Sequence, residues 1–83
     1  MYSLEFVSQA ERFLKKLEKK EQLRIDKRFS DLQNNPKIGK PLVGRLSGLW
    51  SLKIGDYRAI YQIKHDKLIV LIIKIGYRKN VYD

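Results

Sequence analysis

The chain has no cysteine, one histidine, one tryptophan and two prolines in 83 residues, and each scarcity closes a class of explanation. Without cysteine there is neither a disulfide framework nor a thiolate metal site, so apolar packing alone must hold one small domain. The lone histidine, His65, stands between Lys64 and Asp66-Lys67, a setting that reads as a solvated turn. A Ser-His-Asp triad would need that imidazole rigidly buried, and zinc would need further ligands. Long hydrophobic runs are missing too. The longest, Leu68 to Ile73, is far too short to span a bilayer, and Met-Tyr-Ser-Leu-Glu-Phe lacks the pattern of a secretory leader. A cytoplasmic protein without a membrane partner is expected. The few acidic residues sit mostly in helices or at turns, with no pair suited to carboxylate hydrolysis or metal binding, so no metal and no cofactor is expected.

What the chain has in excess is positive charge: 18 Lys plus Arg against 9 Asp plus Glu, a net charge of +9. Up to residue 43 the charges alternate, as in Glu18, Lys19, Lys20, Glu21, which suits a solvated helical face. Beyond it Arg45, Lys53, Arg58, Lys74, Arg78 and Lys79 have only Asp56, Asp66 and Asp83 to balance them. A large uncompensated basic surface is the electrostatic footprint of a polyanion binder.

Residues 2–7 alternate Tyr2, Leu4, Phe6 against Ser3, Glu5, Val7 and read as a first strand. Ser8-Gln9-Ala10-Glu11 matches a capping box, and Ala10, Phe13, Leu14 and Leu17 follow at helical spacing. After a break near Lys19 to Glu21, a second stripe of Gln22, Ile25, Phe29 and Leu32 predicts an antiparallel second helix, ended by Asn34-Asn35-Pro36. Gly39, Pro41, Gly44 and Gly48 mark a connecting loop. Three strands should follow. The predicted order is β-α-α-β-β-β, an α+β domain over 1–83 with a mainly antiparallel four-stranded sheet and a helical hairpin on one face. Tyr57 and Tyr61 share the parity of Trp50 and Leu52 and are expected in the core.

Trp50 to Arg58 carries the chemistry. Gly55-Asp56 suits a two-residue type II′ turn, which pairs Ile54 with Tyr57 and Lys53 with Arg58. Like charges opposite one another across a ladder are destabilising, and an anion held between them removes the penalty. The hairpin is therefore a candidate phosphate site. Lys53, Arg58, Arg78, Lys79, Tyr77 and Tyr82 suit phosphodiester chemistry: guanidinium forks grip a phosphate and stabilise the charge that grows on it, and aromatic rings stack on unpaired bases.

These residues, Leu-Ser-Gly-Leu-Trp-Ser-Leu-Lys-Ile-Gly-Asp-Tyr-Arg-Ala-Ile-Tyr-Gln-Ile and then Ile-Gly-Tyr-Arg-Lys-Asn-Val-Tyr, resemble the RelE/ParE toxin superfamily. The opening carried by Phe6, Ala10, Phe13, Lys16 and Leu17, and the Asn35-Pro36 element, extend the resemblance over nearly the whole chain. In its RelE-like branch the resemblance implies a metal-independent endoribonuclease that cleaves mRNA in the ribosomal A site by attack of a ribose 2′-hydroxyl on the adjacent phosphate. Lys53 would activate that hydroxyl, Arg58 would hold the scissile phosphate, Arg78 would serve the leaving 5′ oxygen and Tyr82 would orient the RNA. Arg45, Ser51, Lys74, Tyr77 and Lys79 are the expected RNA-binding residues around them. Of the family's Lys-x-Lys pattern the second position is Lys53 and the first is Ser51. The implied partners are a RelB-like antitoxin, the ribosome and mRNA, in an arrangement that extends to higher-order toxin–antitoxin complexes. Two alternatives stay open: a ParE-like inhibitor of DNA gyrase without nuclease activity, and a degenerate RNA-binding relative.

Overall fold

The computed structural model describes residues 1–79. Strand β1 (Ser3–Phe6) leads into helices α1 (Ser8–Lys15) and α2 (Lys19–Asn34); then come a short β2 (Lys40–Pro41), β3 (Trp50–Ile54), β4 (Tyr57–Lys64) and β5 (Ile69–Tyr77). The sheet runs β1-β5-β4-β3-β2. Its pairings are antiparallel except that β1 lies parallel to β5, with Ser3 opposite Ile69 and Phe6 opposite Ile72. The predicted α+β architecture is thus observed, with one strand more than expected. The extra strand is β2, two residues long, inside the segment that Gly39, Pro41, Gly44 and Gly48 mark as a loop.

Ala10, Ile25, Phe29 and Leu32 from the helices meet Leu52, Ile54, Ala59, Tyr61, Val70, Ile72 and Ile75 from the sheet in one core. Each fully buried aliphatic or aromatic side chain stabilises by roughly 1.5–3 kcal/mol. The helical break falls at Lys16 to Glu18, slightly earlier than the charge run suggests, because the Gln22 amide donates back to the Leu14 carbonyl at 2.7 Å and the Leu17 carbonyl at 3.2 Å. Those bonds satisfy carbonyls that the end of a helix leaves open. The capping box does not form: Val7 is the N-cap, no side chain caps α1, and Glu11 instead pairs with Lys15 at 3.4 Å. β5, which carries most of the longest apolar run, lies between β1 and β4. His65 is exposed in the turn before it, its Nδ1 3.1 Å from the Tyr2 hydroxyl.

Two side chains anchor the ends of the sheet where charge collects. Gln9 at the start of α1 accepts from the Ile75 N–H at 3.3 Å and donates to the Ile75 carbonyl at 3.2 Å, so its amide continues the ladder beyond the last residue of β1. Tyr61, fully buried, donates to the Pro36 carbonyl at 2.7 Å and accepts from the Gly39 N–H at 3.2 Å. A Cβ at Gly39 would come within 2.5 Å of both that hydroxyl and the Ser51 carbonyl oxygen. The absence of a side chain there lets the 3₁₀ turn Pro36–Ile38 sit down on the sheet and delivers Lys40 to its place beside Ser51.

Candidate functional site

The β3–β4 hairpin has the expected register: Ile54 faces Tyr57, Lys53 faces Arg58, Leu52 faces Ala59 and Trp50 faces Tyr61. Gly55 opens the turn at φ 58°, the left-handed value that the first central position of such a loop needs. The Arg24 guanidinium packs over it, 2.9 Å from where a Cβ would sit, but that group is the far end of a flexible, exposed side chain that can shift, so it is the positive φ that favours glycine here.

Directly paired residues share a face, so the ladders compose two rows on the side of the sheet away from the helices. Lys40, Ser51, Ile60 and Lys74 form one row; Lys53, Arg58 and Gly76 form the next. Arg58 bridges the rows, its Nη1 donating to Ser51 Oγ at 2.8 Å. Ser51 is 3% exposed. Lys53 is exposed and Arg58 half-buried.

Beyond the end of β5 the Arg78 N–H donates to the Asp56 carbonyl at 3.0 Å, which ties the outgoing chain to the hairpin turn. The result is a cavity of about 640 Å³ lined by Asp56, Arg58, Tyr77, Arg78 and Lys79. Among the described residues three cations and one carboxylate line it, together with Tyr77. The Tyr77 ring is 53% exposed and held by neighbours: Phe13 lies edge-on at 5.8 Å between centroids, and Tyr57 is tilted at 5.3 Å. Burial is the main influence on the Tyr57 phenol and raises its pKa, with Glu21, Tyr77 and Asp56 adding to the effect. Burial likewise raises Tyr61, partly offset by the Gly39 N–H it accepts.

Of the residues singled out from sequence, Arg58, Arg78, Lys79 and Tyr77 converge on this cavity, and Lys53 stands opposite Arg58. Ser51 touches the site through Arg58. Lys74 lies on the same face, opposite Ile60. Arg45 is exposed on the 3₁₀ turn Gly44–Leu46 and does not line this cavity. Tyr82 lies outside the described residues. Sequence reasoning missed Arg28 and Lys40, which line a groove of about 180 Å³ together with Lys53, Ser51 and Arg58. Lys40 hid in a loop between Gly39 and Pro41, and Arg28 in the solvated face of α2.

Residues 2–82 match the model for the ParE toxin of type II toxin–antitoxin systems. This chain belongs to the RelE/ParE toxin superfamily. Over 83 residues it is 32% identical to the toxin RelG of Mycobacterium tuberculosis, covering 98% of this chain and 95% of that one. Toxin RelE of the same organism is 46% identical over 55 residues, 65% of this chain and 57% of the relative. A chain of the M. tuberculosis RelBE2 toxin–antitoxin complex superposes with a TM-score of 0.84 at 33% identity, covering 93% of this chain and 98% of the other. The E. coli RelBE complex shares the fold, with a TM-score of 0.80 at 23% identity over 93% of this chain and 96% of its counterpart. As a RelE/ParE toxin, the chain carries its basic groups where β3, β4 and the end of β5 meet. Among the described residues no helix is long and apolar enough to cross a membrane.

Proposed function

We propose that this toxin is a ribosome-dependent endoribonuclease that cleaves mRNA in the A site and is held inactive by a RelB-like antitoxin. The observation that carries the reading is the convergence of Arg58, Arg78 and Lys79 on one cavity beside a Lys53 paired with Arg58. In this assignment Lys53 takes the proton of the ribose 2′-hydroxyl as that oxygen attacks the adjacent phosphorus. Arg58, its guanidinium steadied by Ser51, holds the non-bridging oxygens as negative charge builds on them. The P–O5′ bond breaks, leaving a 2′,3′-cyclic phosphate, and Arg78 stabilises the departing 5′ oxygen, which takes up a proton from water to become a 5′-hydroxyl. Tyr77 offers a ring for a base to stack on, and Tyr82 is assigned to RNA positioning from its place in the family motif. Arg45, Lys74 and Lys79 contribute longer-range attraction for the RNA backbone.

None of these groups is an imidazole, the side chain suited to exchanging a proton near neutral pH, so the rate enhancement relies on substrate positioning, which the ribosome supplies by holding the codon. The cytoplasm, where ribosomes and mRNA reside, is the compartment this reading requires. Primer extension on ribosome-bound mRNA after induction is the test. Cleavage within A-site codons that disappears in Arg58→Ala/Arg78→Ala, while that variant still binds its antitoxin, supports the assignment. Intact mRNA together with lost DNA supercoiling would transfer the protein to the gyrase-inhibitor branch, and undiminished cleavage by the double variant would move the active site elsewhere.

A further inference from the structure

A second basic hollow adjoins the first, and the two share a wall. Arg58 lines both the cavity at the end of β5 and the groove formed by Arg28, Ile38, Gly39, Lys40, Ser51, Leu52 and Lys53. Lys53 and Arg28 also line the next depression along, with Arg24 and Lys27. β2 is only two residues long, pairing Lys40 with Ser51 and Pro41 with Trp50, so among the described residues no strand lies beside Lys53 and Ile54 on that side of β3. There the surface turns from the sheet onto α2 without interruption. Among the described residues the only carboxylate on the second part of this path is Asp31, which accepts from Arg28 Nη1 at 2.8 Å. Among the described residues neither Lys40 nor Lys53 has a carboxylate within salt-bridge distance.

From this placement we infer that Lys40 and Arg28 form a second phosphate-binding site, and that a single RNA strand runs from the Arg58–Arg78 cavity over Lys53 and around the edge of β3. The inference rests on the nuclease reading for which cavity holds the scissile phosphate, but the track itself is a binding property. Three features favour a nucleic-acid strand over an acidic protein segment. Cations line adjoining hollows that share Arg58, Lys53 and Arg28, as a succession of phosphates along one chain requires. The groove wall offers only Ile38 and Leu52 as apolar contacts for a peptide side chain. Its position is fixed from beneath: Tyr61 holds Gly39, Gly39 sets Lys40 opposite Ser51, and Ser51 holds Arg58. A built-in support of this kind suits a ligand of fixed charge spacing.

The test is equilibrium binding of non-cleavable 2′-deoxy-substituted oligonucleotides, from two to five nucleotides, across a range of salt concentrations. The parent protein should gain affinity with each nucleotide that reaches the second groove. Each phosphate neutralised on a single strand contributes about 0.7 to the slope of log K against log salt, so Lys40→Ala/Arg28→Gln should lower that slope by about 1.4 on the pentanucleotide. On the dinucleotide the same variant should match the parent. Lys19→Ala/Lys67→Ala removes equal charge elsewhere and should leave the slope unchanged, and thermal melting checks that both variants fold. A parent that binds five nucleotides no better than two overturns the track. So does an equal slope change in the Lys19/Lys67 control, or a loss of antitoxin affinity without any loss of RNA affinity. Cleavage and track separate cleanly: a slope change in a protein that cuts no mRNA sinks the nuclease alone, and A-site cleavage with an unchanged slope sinks the track alone.

Discussion

Arg58 Nη1 and Ser51 Oγ lie 2.8 Å apart on a diagonal of the β3–β4 ladder, so a buried hydroxyl helps to aim the guanidinium. A neutral hydroxyl contributes direction to the fork without bringing negative charge of its own.

Replacing the two partners should therefore give different losses. Arg58→Ala removes the donor to the developing charge and should lower cleavage of ribosome-bound mRNA by roughly 10²–10³-fold. Ser51→Ala removes one hydrogen bond and should cost about tenfold, the equivalent of about 1.4 kcal/mol. Single-turnover kinetics on programmed ribosomes would measure both, and equal losses would refute the positioning role.

Tyr61→Phe keeps the ring and deletes the hydroxyl that serves Pro36 and Gly39. Two backbone groups lose their partner, at a cost of about 1–3 kcal/mol. For a domain of this size the melting temperature should fall by about 4–8 °C for each kcal/mol. Amide exchange should accelerate first at Gly39.

Gly39→Ala forces a methyl group against the Ser51 carbonyl and the Tyr61 hydroxyl, both of which are backbone or fully packed. The 3₁₀ turn has to lift and carry Lys40 off β3. Urea denaturation should show a loss of about 1–3 kcal/mol, the range for overpacking, and oligonucleotide affinity should fall with it.

Gln9→Ala breaks both bonds to Ile75 and leaves the open end of β5 without its substitute ladder. Stability should drop by about 1–3 kcal/mol. Because Gly76, Tyr77 and Arg78 follow directly, cleavage should suffer although Gln9 approaches the basic cavity only through β5. A variant that melts early yet cleaves normally would disconnect the strand end from the site.

Alkaline stability follows from Tyr57 and Tyr61, whose phenols are raised by burial above their ordinary value of 10.0. Above about pH 10 the unfolded chain loses these protons while the folded protein still retains them, so stability is full below that pH and declines as pH rises toward the folded-state values. Chemical denaturation against pH should show that slope, and Tyr61→Phe should make it shallower. Ultraviolet titration would follow the phenols directly.

Much of this architecture was legible because it is written locally. The Gly55-Asp56 turn, flanked by alternating residues, specifies the Lys53–Arg58 register without reference to anything distant, and the helical spacing of Ala10, Phe13 and Leu14 does the same for α1, although Leu17, on the same stripe, falls in the break after it. What stayed hidden depends on long-range contacts. Nothing near Lys40 signals that a hydroxyl at position 61 will seat Gly39 and produce a fifth strand. Nothing near Arg28 signals that a two-residue β2 will leave the edge of β3 open to α2. Ser8 and Glu11 had the chemistry of a capping box, but Val7 was drawn into the end of the sheet through its N–H bond to the Ile72 carbonyl, which moved the helix start by one residue.

The parallel pairing of β1 with β5 has a temporal consequence. β1 has no partner in the sheet until residues 69–72 have been synthesised, and a sheet closed by so distant a pairing assembles slowly. Ile75, which Gln9 binds, and Arg78, which docks against the Asp56 carbonyl, follow only after that. The basic cavity of this toxin therefore comes into being only as β5 slides in beside β1.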